Sequence, residues 1–365
     1  MKVVFIINAR LVSGAEEHLL DLTKMLPAYG IEPVLFVRAN GLFEKRLKEC
    51  GVRSCPVFVK SRLKTIVNIS KALVQEQPDV ISVNREHNIY PTLLSYSLAV
   101  ALLHKRPKLV AVFHTPTGRT YPLLSTLFDG VIATSEYTGS SFWLKNPGLK
   151  QKTTVIHYGI ELPEIQTDKA NPDRERRILI NRKFPVIGMV GELWKNQEEL
   201  VDATVALKKV YPDIIVAIVG GGGIEQLEKK IAEHSLEKNI LLPGRIPREQ
   251  IPDLFYDFDL SVSTHRNEGF GIVHIESLAA CTPLVAYNSG GLVEILRKGG
   301  GVLVDGSTED FSSQVIAMLK DDERREILGA EGRKVVENNF TLTLMVCRHA
   351  DYYKSLAGNT AKLSS

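Results

Sequence analysis

The feature that most narrows the choice of fold is a repeated local pattern. A short β-branched run, a glycine-containing break and a stretch with apolar residues at helical spacing follow one another along most of the chain. Repeated βα units of this kind build a parallel sheet covered by helices. Residues 3–7 read as a buried strand and 8–14 as a loop, while Leu19, Leu22, Thr23 and Leu26 mark one helical face that ends near Pro27 and Gly30. Further strands are predicted at 34–37, 80–83, 109–113, 130–134 and 154–157, with a helix over 91–103. A second series follows at 186–190, 214–219, 240–242, 260–263, 284–286 and 302–304. Between the two series, from Glu161 to Arg182, the chain is polar and proline-marked and has no sustained apolar periodicity, as suits a linker. The expectation is an α/β protein with two doubly wound, Rossmann-like domains. Residues 1–162 form the first, 163–183 a linker and lead-in, and 184–340 the second. Residues 341–365 form a C-terminal helix that is a candidate to pack back on the first domain. Open α/β sheets bind ligands beyond the carboxyl ends of their strands, so a central cleft faced by both domains is the expected site.

Composition removes several classes of function. Forty-five basic against 42 acidic residues leave a net charge of +3 over 365 residues, too little for the broad basic surface of a nucleic-acid binder. The apolar run at the N-terminus lacks a signal peptide's longer core and cleavage site, and no stretch reaches the ~18 apolar residues of a spanning helix. A cytoplasmic location is therefore expected. Cys50, Cys55, Cys281 and Cys347 are scattered, and the nine histidines do not fall at ligand spacing with carboxylates or thiols, so neither a metal nor a resident cofactor is expected.

The most informative segment runs Ser263-Thr264-His265-Arg266-Asn267-Glu268-Gly269-Phe270-Gly271-Ile272-Val273-His274-Ile275-Glu276. It leaves a buried strand and places two glycines before an apolar helical start, which sets main-chain N–H groups at a helix N-terminus that attracts anions. Glu268 precedes the helix and Glu276 lies about one turn into it, so both carboxylates can border one anion pocket; a carboxylate also accepts hydrogen bonds from paired sugar or ribose hydroxyls. The chain continues through Cys281-Thr282-Pro283 to Gly290-Gly291-Leu292-Val293-Glu294. This whole stretch resembles the signature of the retaining glycosyltransferases of family 4, whose GT-B architecture sets two Rossmann-like domains face to face. Ser13-Gly14-Ala15-Glu16, residues 155–161, Gly188-Met189-Val190-Gly191, Val219-Gly220-Gly221-Gly222 and Leu242-Pro243-Gly244-Arg245 resemble the family in order and spacing.

The resemblance implies roles for particular residues. Glu276 would bind the ribose hydroxyls of a nucleotide sugar and Glu268 the hydroxyls of its sugar, acting as a catalytic group. The backbone of Gly269, Phe270, Gly271, Ile272 and Val273 would face the diphosphate. Gly14 would let the backbone approach the donor phosphates, Lys195 would reach them, and Arg245 would border the base. His114, at the end of a buried strand, matches a family histidine near the reacting carbon, where a neutral ring can donate a hydrogen bond without acting as base. His18 is a candidate acceptor contact, with a plain helix-surface histidine as the alternative. Where the family carries an arginine this chain has Glu192, a charge that is wrong beside a diphosphate. Either Glu192 turns away, or Arg266 or Arg119 replaces the missing cation, or donor binding is weakened.

The run Val219-Gly220-Gly221-Gly222-Gly223 invites a dinucleotide reading and fails it, since the third glycine of that pattern falls on Glu225. Basic residues gather at Lys60, Arg62, Lys64 and Lys71 and at His104-Lys105-Arg106 with Lys108, among Leu63, Ile66, Val67, Ile69, Ala72 and Leu73. This makes the first domain a candidate for peripheral contact with the inner face of the plasma membrane, against the alternative of a core-packed helix with a solvated basic face. The expected function is metal-independent transfer of a hexosyl group from a nucleotide-diphosphate sugar to a glycan or lipid-linked acceptor, in polysaccharide or glycolipid assembly. A sugar-nucleotide epimerase and a non-catalytic sugar-binding protein are the alternatives.

Overall fold

The structure is a computed structural model that describes residues 1–9, 12–121, 124–164 and 184–358. The chain forms two compact units, one comprising residues 1–159 with the chain from Leu342 onward, the other residues 160–341. Most of the segment read as a linker, residues 165–183, lies outside the described residues.

The first unit is built on seven parallel strands, β1 (Lys2–Ile6), β2 (Glu32–Arg38), β3 (Ser54–Phe58), β4 (Val80–Asn84), β5 (Lys108–Phe113), β6 (Gly130–Ala133) and β7 (Thr153–Val155). Their order is β3-β2-β1-β4-β5-β6-β7. Continuous apolar runs are what a sheet covered on both faces requires. Ile6, Phe36, Ile81 and Phe113 enter the core on one side, and Phe5, Leu35, Val110 and Ile132 the core on the other. β3 was not among the predicted strands. Pro56 interrupts its apolar pattern and cannot donate to a ladder, which the fold accommodates by placing β3 at the sheet edge.

The C-terminal helix Leu342–Leu356 belongs to this first unit. It sets Met345, Val346, Ala350 and Tyr353 into the core above β1, and Tyr353 meets Phe5 edge to face at 5.9 Å between ring centres. The Tyr353 and Ser82 hydroxyls lie 3.2 Å apart. Where the chain leaves for the second unit and where it returns, the two segments run side by side, with the Ile160 N–H donating to the Phe340 carbonyl at 3.0 Å.

The second unit has six parallel strands, β8 (Val186–Val190), β9 (Ile215–Val219), β10 (Ile240–Gly244), β11 (Leu260–Ser263), β12 (Leu284–Tyr287) and β13 (Gly301–Val304). Their order is β10-β9-β8-β11-β12-β13, so the edge strand β10 again carries a proline, Pro243. In both sheets the strand order reverses once, between β1 and β4 and between β8 and β11. Loops on either side of such a reversal splay apart and leave a crevice for ligands. No helix among the described residues is long and apolar enough to cross a membrane.

Candidate functional site

In the second unit the loop after β8 meets the loop after β11 at the reversal. Lys195, from the first loop, places its Nζ 2.5 Å from an Oε of Glu268, from the second, and both side chains are largely shielded from water. Burial would raise the Glu268 carboxyl, but the neighbouring groups, Lys195 foremost among them, together hold it below the usual carboxylate range. Behind the pair, burial pushes the His274 imidazole down to about 4, so it packs as a neutral ring.

The backbone around Glu268 is fixed by glycines. The Gly291 N–H donates to the Glu268 carbonyl at 2.7 Å, and a Cβ on Gly291 would lie 2.2 Å from the Gly269 carbonyl oxygen, so no other residue allows the two loops to approach this closely. Gly271 caps the helix Ile272–Ala279 at φ +95°, where an added Cβ would stand 2.5 Å from the His274 ring. The cap offers no side-chain hydrogen bond, and the first turn of the helix carries no acidic residue. The first amides of a helix have no carbonyl one turn earlier to bond, so this end presents a positive field without an anion built into its first turn. Glu276 lies further along the same helix, with the Arg248 guanidinium 3.9 Å away.

Glu192, at the position where the family resemblance calls for arginine, forms an ion pair with Arg245 at 2.8 Å. The Arg245 side chain lies across Gly221, where a Cβ would fall 2.2 Å from its Nε. The cation beside Glu192 is therefore Arg245, neither of the two that the sequence suggested. Arg266 is bound to Glu199 at 2.9 Å and stacked over the Tyr287 ring at 3.4 Å, and Arg119 pairs with Glu86 in the first unit at 3.7 Å. Trp194, which sequence reasoning passed over, is exposed next to Lys195 and meets His265 edge-on at 5.5 Å. A tryptophan in the loop after a domain's first strand was the available signal.

In the first unit His114 follows β5 with both ring nitrogens engaged. Asn84 donates its Nδ2–H to the Ser82 carbonyl at 3.2 Å, so its Oδ1 is left to accept from His114 Nε2–H at 3.2 Å. His114 Nδ1 then accepts from the Tyr158 hydroxyl at 2.6 Å. Burial lowers the ring to about 3, helped by the Arg85 charge, and it is neutral at physiological pH. A hydrogen bond from His114 to a ligand thus requires it to release Asn84. His18 is 6% exposed and packs edge-on to Tyr158 at 4.3 Å, with the His349 ring 5.7 Å away. It is therefore not the plain surface histidine that the sequence offered as one alternative. Asn84, Tyr158 and His349 went unnoticed in the sequence because only the fold gathers them from separate elements.

Gly14 opens the helix Gly14–Met25, and there the place of an anion is taken. Fully buried Glu16 accepts from the Ser13 N–H at 2.9 Å and the Ser13 hydroxyl at 2.5 Å, and it pairs with Arg85 at 2.5 Å. The carboxylate nearest Gly14 is thus buried and held by Ser13 and Arg85. Arg85 itself sits at φ +68°, a strained geometry for arginine that the ion pair helps hold. Among the described residues no three His, Cys, Asp or Glu side chains come together as metal ligands.

Two family models match the chain in tandem, Glycosyltransferase Family 4 over residues 12–163 and Glycosyl transferases group 1 over residues 171–335. The chain belongs to glycosyltransferase family 4. Among its relatives in this family, it is 29% identical over 195 residues to the GDP-mannose-dependent alpha-(1-6)-phosphatidylinositol monomannoside mannosyltransferase of Mycolicibacterium smegmatis, covering 49% of this chain and 51% of that protein. It is 27% identical over 270 residues to the lipopolysaccharide core biosynthesis mannosyltransferase LpsB of Rhizobium meliloti, covering 69% and 74% of the two chains. The matched region thus spans about half the length of the first of these relatives. Crystallised Anabaena HepE in complex with UDP-glucose superposes with a TM-score of 0.83 at 20% identity, over 97% of this chain and 100% of that one. That likeness shows the shared GT-B fold of two Rossmann-like domains.

Proposed function

We propose that this family 4 member transfers a hexosyl group from a nucleotide-diphosphate sugar, bound at the second domain, to a hydroxyl of a glycan or lipid-linked acceptor bound at the first, retaining the anomeric configuration and using no metal. The observation that carries this reading is the helix start at Gly271, which has an acid-free first turn and a shielded lysine close by at Glu268. An ammonium has three donors, so Lys195 can hold Glu268 and a diphosphate oxygen together. Glu268 then accepts from hydroxyls of the donor sugar and Glu276 from those of the ribose. The amides of Phe270 to Val273 face the diphosphate. Arg245, which neutralises Glu192, keeps that carboxylate from repelling the donor and borders the base.

In the reaction the bond from the anomeric carbon to the diphosphate oxygen breaks, and a bond from that carbon to the acceptor oxygen forms on the same face of the sugar. The acceptor proton passes to the departing diphosphate. Stabilising that leaving group is the main catalytic task, met by Lys195 and the helix amides. His114 contributes as a neutral donor from Nε2 to the reacting sugar after parting from Asn84. Relatives named for mannosyl transfer to phosphatidylinositol mannosides and to lipopolysaccharide core support a place in glycolipid or polysaccharide assembly.

The test is calorimetry with a panel of nucleotide sugars. Glu276→Ala is expected to abolish measurable binding while shifting the melting temperature by no more than ~2 °C, as for a partly exposed polar change. A large loss of stability with binding intact would assign Glu276 to the fold instead.

A further inference from the structure

In the first domain the helices Arg62–Glu76 and Ile89–Ala99 lie side by side and parallel on one face of the sheet. The Ser70 hydroxyl donates to the Ser95 carbonyl at 3.0 Å, and Gln77 joins the Leu102 carbonyl at 3.2 Å and the His104 N–H at 2.8 Å. The stripe predicted from the sequence does not face solvent as a whole, since Ile69, Ala72 and Leu73 are in the core. What lies outside is part of that stripe, Leu63 and Val67, together with residues the sequence did not mark. Leu63 is 73% exposed, and the second helix adds half-exposed Tyr90, Leu94 at 57% and Leu98 at 63%, with Leu102 at 65% just beyond its end. Positions 90, 94 and 98 fall on one line along that helix. Leucines concentrated like this on the surface mark a binding face, whereas scattered ones need no explanation.

Charge identifies the occupant. Lys60, Arg62, Lys64 and Lys71 are the only charged residues between positions 60 and 75, and none of them pairs with a carboxylate among the described residues. Residues 89–103 carry no acidic or basic side chain. The second basic cluster contributes less, because Lys105 pairs with Asp79 and Lys108 with Asp129. Leucines and a tyrosine beside unpaired cations, with no acid among them, complement the acyl boundary and the anionic headgroups of a bilayer. We propose that this two-helix face docks the first domain on a membrane surface rich in anionic lipid. The proposal does not depend on the donor reading above.

Flotation of the full chain with vesicles of phosphatidylcholine, alone or mixed with phosphatidylglycerol, tests it. Binding to the mixed vesicles alone is expected, weakening as salt is raised. Leu94→Ser with Leu98→Ser, and separately Lys64→Glu with Lys71→Glu, are each expected to reduce the bound fraction at least about tenfold. Thermal shift by nucleotide sugars reports on the other domain and should be unchanged in both variants, so failure here is separable from failure of the functional proposal. Equal binding to both vesicle types, or binding unaffected by either pair of substitutions, overturns the inference. So does loss of self-association in the leucine variant with vesicle binding intact, which would make a second copy the occupant.

Discussion

The strand reversals of the two domains have the same topology and opposite chemistry. In each, a cation that follows one strand pairs with a carboxylate that follows the other: Arg85 after β4 with Glu16 after β1, and Lys195 after β8 with Glu268 after β11. In the first domain the carboxylate belongs to the first turn of the helix it caps, and the field of that helix end is spent on the chain's own anion. In the second domain the helix begins at a glycine, has no acid in its first turn, and keeps its carboxylate in the preceding loop. The proposed function puts the external anion at the second of these two helix ends. The first domain instead offers neutral groups near its strand ends, His114, Asn84 and Tyr158, which suit uncharged hydroxyls.

The strongest way to break this comparison is to disarm each side in turn. Lys195→Ala should weaken donor affinity about 10- to 100-fold, as for loss of a charge-assisted hydrogen bond. His114→Ala should leave donor affinity within about twofold while lowering the transfer rate about 100-fold. Calorimetry paired with transfer assays reads both, and a His114 variant that loses donor affinity but keeps its turnover reverses the assignment. A smaller effect tests Arg245. Arg245→Ala leaves Glu192 uncompensated and should weaken donor binding about tenfold, whereas adding Glu192→Ala should restore part of the loss. Because that pair is exposed, neither change should alter stability by more than about 1 kcal/mol.

The smallest effect concerns acid. The His349 ring is buried beside His18 and Tyr353 and is lowered to about 4, mainly by burial. Its folded value lies below its unfolded value near 6.5, so the unfolded chain takes up the proton first. The resulting stability is complete above about pH 6.5 and declines toward pH 4, by at most about 1.4 kcal/mol per pH unit. His349→Gln should flatten that part of the stability profile measured by denaturant unfolding. An unchanged slope would remove His349 from the account.

Much of the fold was legible because buried parallel strands leave continuous β-branched runs, as at Val3-Val4-Phe5-Ile6 and Val216-Ala217-Ile218-Val219. β3 escaped because Pro56 breaks the pattern that an edge position tolerates. The segment from Glu268 to Glu276 was readable since its glycines and carboxylates are contiguous. The partner of Glu192 was not, because the contact with Arg245 spans the sequence from β8 to β10 and depends on the bareness of Gly221. The exposed leucines of the Ile89–Ala99 helix were hidden for another reason. A helix apolar on nearly all sides shows no stripe, and only burial separates Leu93 in the core from Leu94 in solvent.

The central claim is that an external diphosphate occupies the helix start at Gly271. A crystal soaked with a nucleotide sugar tests it directly. The account requires diphosphate oxygens within hydrogen-bond reach of Lys195 Nζ and the backbone amides of residues 270–273, with the ribose at Glu276. A diphosphate bound out of reach of Lys195 and of these amides would contradict it.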